Sequence, residues 1–315
     1  MATGQKTYWH LLSQRRAPSD YEVVTSRLLY YPGKEPEVHT PVGAWMGKHR
    51  STIPPETWER FNDPRQTTYR SYTELQSRLE AHIDEVIRAD VCGPVSRDTL
   101  ALLKAYVAPL RYPCHGLMML AAYAGHLAPS GKVAICLAFQ ATDELRRIDR
   151  ITQHAVKRLG ADAVRASRLH WQEAKEWQPL RKVIERLLVT YTWDESFIAL
   201  NLVLKPLIDR VFCDRLGSTL DACGDGTFQQ IFRSLADDTR WHREWSAAAV
   251  GTAFGPGETD AVQSVVDRWL PSVQHAVEVL AAFASNDAAA SDMSEYAVFI
   301  EGMGLNAGKG NASKT

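Results

Sequence analysis

Two long segments of this chain repeat apolar residues at the spacing of an α-helix, and each sets an acid into its apolar stripe. In the first, Val133, Leu137, Gln140, Glu144, Arg147, Ile151 and His154 recur every three or four residues, flanked by Cys136, Ile148 and Ala155. In the second, Phe228, Ile231, Phe232, Leu235, Asp238, Trp241, His242 and Trp245 do the same. A stripe of this kind has to be buried against other helices, which places Glu144, Arg147 and Asp238 in the interior. Buried charge is costly unless it is paired. The expected pairs are Arg147 with Asp238, and Glu144 with Arg147 or Arg240. No stretch alternates apolar and polar residues with the strength of a strand, so the expected fold is all-α.

The rest of the chain divides around these stripes. Up to about residue 70 it reads as an extended N-terminal arm, because prolines at 18, 32, 36, 41, 54, 55 and 64 interrupt every candidate helix. The arm still carries apolar clusters, Tyr8-Trp9, Leu28-Leu29-Tyr30-Tyr31, Trp45-Met46, Trp58 and Phe61, too many for a free linker. They suit a strap lying on another surface, either this chain's own helices or a partner. From Ser71 the pattern is helical. Ser71-x-x-Glu74 suits a capping box, and Ser96 suits the start of the next helix. Further helices are expected over about 113–127, 132–159, 161–176, 179–191, 195–215, 227–250 and 258–284, the last bent at Pro271. Residues 71–285 form the helical domain, and 286–315 a C-terminal tail, partly disordered, with one apolar patch at Tyr296–Ile300.

Composition narrows the class. The 36 basic and 37 acidic residues leave a net charge of −1, which disfavours a protein that lives on nucleic-acid phosphates. Cys92, Cys114, Cys136, Cys213 and Cys223 form no Cys-x-x-Cys pair and read as reduced thiols. The N-terminal residues carry no apolar export signal, and the run near Gly116–Leu127 is too short to span a bilayer. A cytoplasmic protein without membrane association is expected.

The acids in the stripes raise the question of a metal. Residues three apart share a helix face, so Glu-x-x-His can offer a carboxylate and an imidazole to one metal ion. Here the two positions read Glu144-x-x-Arg147 and Asp238-x-x-Trp241. Guanidinium and indole have no accessible lone pair for a metal. A di-iron carboxylate bundle also takes one Glu from each of two other helices. The corresponding stretches are Leu117-Met118-Met119-Leu120, without an acid, and Leu202-Val203-Leu204-Lys205-Pro206-Leu207, which presents a lysine and a proline. His115, His126, His154, His242 and His275 are spread over four predicted helices with no His-x-x-x-His or Glu-x-x-His spacing. Gly-x-Ser-x-Gly, the P-loop and Gly-x-Gly-x-x-Gly are absent, and Gly255-Pro256-Gly257-Glu258 reads as a helix break. No catalytic, cofactor-binding or metal-binding residue is therefore expected in this chain.

Five stretches have a distinctive look: Arg16-Ala-Pro-Ser-Asp-Tyr-Glu-Val-Val-Thr-Ser-Arg27, Phe61-Asn-Asp-Pro-Arg-Gln-Thr-Thr-Tyr-Arg70, Tyr72-Thr-Glu-Leu-Gln-Ser-Arg78, Trp193-Asp-Glu-Ser-Phe-Ile-Ala-Leu-Asn-Leu-Val-Leu-Lys-Pro206 and Asp237-Asp-Thr-Arg-Trp-His242. Through them, over about residues 7 to 285, the chain resembles the β (small) subunit of the hydroxylase of bacterial multicomponent di-iron monooxygenases. The nearest branch is that of the toluene, benzene, alkene and isoprene monooxygenases. The resemblance implies a ferritin-like (ribonucleotide-reductase-like) helical bundle whose arm embraces a homologous, catalytic α subunit carrying the di-iron centre. It also implies a γ subunit, an (αβγ)2 assembly, and an effector protein, Rieske-type ferredoxin and NAD(P)H-dependent reductase in the wider system. On this reading the chain is a non-catalytic structural subunit supporting hydroxylation or epoxidation of hydrocarbons with O2. The alternative is a divergent carboxylate-metal oxidase with its own site at Glu144, Asp238 and His242.

Overall fold

The computed structural model describes residues 16–28, 39–90, 95–254, 259–283 and 286–307, with backbone alone over 286–292. Among these residues every regular element is a helix. The arm holds three short ones, α1 (Asp20–Ser26), α2 (Pro41–His49) and α3 (Pro55–Trp58), contrary to the expectation that its prolines exclude helix. Pro41 and Pro55 open α2 and α3, at the position where a missing N–H costs nothing. Ser19 caps α1 through a capping box with Glu22, whose carboxylate Arg16 also grips. The clusters at Tyr8-Trp9 and Tyr30-Tyr31 lie outside the described residues, as do Cys92 and Gly255-Pro256-Gly257.

The main body begins at α4 (Tyr69–Ala89). Its capping box is formed by Thr68 and Ser71, not by Ser71 and Glu74; Glu74 instead pairs with Arg70 one turn away. Then come α5 (Arg97–Leu102, capped by Ser96 and continued by π and 3-10 turns to Leu110), α6 (Arg111–His126), α7 (Gly131–Leu159), α8 (Ala161–Glu173) and α9 (Gln178–Leu188). Ser130 caps α7, and Gly160, at φ 82°, ends it in a conformation that suits a residue without Cβ. The chain is helical again from Trp193 to Ala222, in a run that alternates α segments with π turns at Ala199–Leu204 and Arg210–Arg215. We call this run α10. It is followed by α11 (Gly226–Ala253) and α12 (Asp260–Leu280). Residues 286–301, expected in a partly disordered tail, form a last helix, α13 (Asn286–Glu301). Tyr296 and Ile300 are buried, and Arg210 pairs with Glu295, so this segment is docked on the body.

The core is the bundle of α6, α7, α10 and α11, with α4 laid on α11, and α9 and α12 outside. α10 is its centre: every residue from Ser196 to Asp209 is buried. Two π turns have a visible cause. Proline donates no N–H, and the residues just before Pro109 and Pro206 reach back five positions instead of four: Ala108 N–H to the Leu103 carbonyl, Lys205 N–H to that of Leu200.

The lower arm belongs to the same core. Trp58 and Phe61 are fully buried, Trp58 meeting Trp193, Phe197 and Phe254 edge-on. Asp194, at the start of α10, accepts hydrogen bonds from the Ser51 hydroxyl and from both N–H and hydroxyl of Thr52. From α7, Lys132 donates to the carbonyls of Glu59 and Phe61. This part of the strap lies on the chain's own helices.

Candidate functional site

The stripes of α7 and α11 are buried as their spacing predicts, and their charged residues come to rest in the middle of the bundle. Four groups form a closed set there. The Lys205 ammonium donates to Glu144 and lies 3.2 Å from Asp209. The Arg147 guanidinium stands 2.7 Å from Asp209 and 3.3 Å from Glu144. None of the four is more than 2% exposed. Two cations and two anions sum to zero, which is what lets charge persist at this depth.

The set keeps its ionisation through mutual attraction. Burial alone would raise the Asp209 carboxyl, but Arg147 and Lys205 outweigh it and hold the group well below the usual range. Burial would likewise strip the proton from Lys205, yet Asp209 and Glu144 keep its pKa above the ordinary lysine value. Cys114 stands in the same field, its thiol pushed up by burial.

A second network lies toward α4. The Asp143 carboxylate accepts from the Tyr72 hydroxyl at 2.6 Å and meets His242 Nε2 at 2.8 Å. The Gln76 amide N–H2 bridges Asp143 and Asp238, at 3.1 and 2.9 Å. Arg146 closes this network by donating to Asp238 at 2.6 Å, to Ser234 at 2.8 Å and to Glu80 at 2.6 Å. Burial, and then the neighbouring charge of Asp238, pushes Asp143 well above the carboxylate range, and burial raises Asp238 too. His242 goes the other way: burial and the Lys205 charge hold its pKa well below the usual value. Burial thus disfavours the charged form of both partners in this pair.

Of the expected pairs, Glu144 with Arg147 is present. Arg147 with Asp238 is not, because Arg147 turns to Asp209 on α10 and Asp238 is taken by Arg146, one residue earlier on α7. Arg240 stays at the surface with Asp237. Glu144, Asp238 and His242 are likewise not brought into one ligand set; each is bonded to a different partner. Among the described residues no three His, Cys, Asp or Glu side chains are grouped to hold a metal ion. The donor set does not fit a dinuclear iron centre: the Glu144 and Asp209 carboxylates already carry cationic side chains at contact distance, where a metal would need their charge for itself.

Trp241 explains the Asp-Pro-Arg-Gln-Thr-Thr-Tyr stretch. Its indole N–H donates at 3.0 Å to Asp63, which also accepts from the backbone N–H groups of Arg65 and Thr67. Gln66 adopts a positive φ of 51°, and Arg65 makes a bidentate pair with Glu244 on α11. The residue standing where Glu-x-x-His would have histidine therefore ties the arm to the bundle. Asp209, Arg146, Gln76 and Asp143 were not singled out from the sequence. The available signal for the first was Lys205 and Asp209 at i, i+4 on the helix facing Glu144 and Arg147.

The bundle with this centre defines a class. The chain matches the model of the methane/phenol/alkene hydroxylase family over residues 43–255, and it belongs to that family. It is 28% identical to the hydroxylase component subunit beta of the toluene-4-monooxygenase system of Ectopseudomonas mendocina, over 90% of this chain and 91% of the relative. It is 24% identical to DmpL, the phenol 2-monooxygenase oxygenase component of Pseudomonas sp. (strain CF600), over 92% and 89%. A solved structure of toluene 4-monooxygenase with toluene bound in its resting active site superposes with a TM-score of 0.79 at 26% identity, covering 89% of this chain and 98% of the other. The all-α, ferritin-like fold that the resemblance implied is the observed one. Among the described residues no helix is long and apolar enough to cross a membrane.

Proposed function

We propose that this chain is the non-catalytic structural subunit of a multicomponent monooxygenase hydroxylase, carrying neither a metal nor an active site of its own. The observation that carries the reading is the Lys205 ammonium held between Glu144 and Asp209 in the middle of the bundle. A homologous α subunit holds the di-iron centre and hydroxylates or epoxidises an aromatic or alkene substrate with O2. A γ subunit, an effector, a ferredoxin and an NAD(P)H-dependent reductase complete the system. Relatives named as hydroxylase and oxygenase components support this reading.

An exposed aromatic patch supports a subunit role. Trp45 on α2 is 39% exposed and touches His49, Tyr123 and Tyr191, with ring centroids 4.5 to 6.5 Å apart. Val42 and Met119 are exposed as well. Aromatic and methionine side chains on a surface are the composition of an interface core.

The test is purification of the chain with the subunits encoded beside it. The complex should contain iron, and the chain dissociated and refolded alone should contain none by elemental analysis while retaining its helical spectrum. Stoichiometric iron or manganese in the isolated chain would overturn the reading.

A further inference from the structure

Arg16, Arg65, Arg146, Arg147, Arg150, Arg158, Arg268 and Lys157, among others, each face a carboxylate within 4 Å. Two cations of a different kind and a histidine converge on one place. Lys182 and Arg186, one turn apart on α9, and His275 on α12 line a cleft of about 150 Å³ with Ser272, and none of the three makes an ion pair among the described residues. The floor is Trp269, which is 1% exposed, with the Arg186 guanidinium 4.6 Å above its ring. No carboxylate lines the cleft. Glu195, which accepts from the Trp269 indole N–H, is already paired with Arg268.

An arginine held over a buried indole is partly fixed before any ligand arrives, so less side-chain entropy remains to be lost on binding. Lysine one turn away and serine across the groove add donors. The cleft is too small for a folded element and suits a single carboxylate side chain. Val189, which caps the C-terminus of α9, is 61% exposed, and Tyr191 two residues further on belongs to the aromatic patch around Trp45. A basic, tryptophan-floored cleft on a helix whose C-terminal end leads within a few residues to an exposed aromatic patch has the composition of an interface anchor with a charged end.

We propose that the cleft between α9 and α12 is a docking point for an acidic segment of another hydroxylase subunit, one of whose Asp or Glu carboxylates enters between Lys182 and Arg186. The inference rests on the reading of this chain as a hydroxylase subunit.

The experiment uses the complex purified with its co-encoded subunits. A zero-length carbodiimide should join Lys182 to an Asp or Glu of a different chain, identified by mass spectrometry. The Lys182→Glu/Arg186→Glu double variant, with both sites at the surface, should keep the helical spectrum of the parent but assemble at least about tenfold more weakly at low salt. The deficit should shrink at high ionic strength, and Lys182→Arg should assemble like the parent. A double variant that assembles normally, or a Lys182 that acetylates as fast in the complex as in the isolated chain, overturns the docking point alone. A parent chain that purifies without other subunits overturns the subunit reading, and the docking point with it.

Discussion

The Lys205 ammonium donates to the Glu144 carboxylate across 61 residues of sequence, and neither group reaches solvent. The contact fixes how α10 meets α7. With Arg147 and Asp209 it makes a neutral quartet at the depth where related folds place metal ligands.

Lys205→Met should be severely destabilising although methionine fits the space. Glu144 and Asp209 would be left with Arg147 alone, one uncompensated negative charge in the interior, at a cost of about 3–5 kcal/mol. Denaturant unfolding of the variant checks this. The double variant Lys205→Met/Glu144→Gln, which restores neutrality, should recover a substantial part of the loss.

The two strap tryptophans should separate by phenotype. Trp58→Ala empties a site walled by Trp193, Phe197 and Phe254 and should cost about 3–5 kcal/mol. Trp45→Ala removes an exposed ring, should change unfolding by less than about 1 kcal/mol, and should instead weaken assembly. Thermal unfolding of the isolated chain beside native mass spectrometry of the complex distinguishes the two.

The Asp143–His242 pair predicts opposite pH slopes for its two single variants. The folded pair holds one proton, and between about pH 4 and 6.5 so does the unfolded pair, on histidine, so the parent gains no slope from it. In Asp143→Asn only the depressed histidine remains. The unfolded state then binds a proton that the folded state refuses, and stability falls as pH drops below about 6.5. In His242→Gln only the raised carboxyl remains. The folded state keeps a proton that the unfolded state has lost, and stability falls as pH rises above about 4. Each slope should approach about 1.4 kcal/mol per pH unit, read from urea midpoints at intervals between pH 4 and 7.

Gly116 lets α6 pack against α9: a Cβ there would meet the Ile184 side chain at 2.6 Å. Gly116→Ala should therefore destabilise, by about 1–3 kcal/mol. Adding Ile184→Ala should restore part of that loss, although Ile184→Ala alone is destabilising. A double-mutant cycle in urea gives the coupling.

The parts of the fold legible in the sequence are those where one physical rule acts alone. Ser96 and Gly160 mark helix ends because capping and positive φ are local demands. The α7 stripe was readable because one of its faces meets solvent and the other does not. α10 offers no such contrast: from Ser196 to Asp209 it is buried on every side, and its π turns shift the register of the residues beyond them. Asp209 was therefore invisible as the partner of Arg147. Arg146 was passed over for a related reason, since it lies at the edge of the α7 stripe and its reach to Asp238 depends on where α4 and α11 come to lie. The helix over 286–301 has no strong apolar stripe of its own to announce it, and its buried residues Tyr296 and Ile300 meet a surface made elsewhere in the chain.

The quartet bears on how such a chain matures. A cage of carboxylates repels itself until a multivalent ion arrives, so its folding waits on metal delivery. Here lysine and arginine arrive with the polypeptide, and the interior reaches electroneutrality as the helices close. On the proposed reading, such a chain reaches its folded form without waiting on metal.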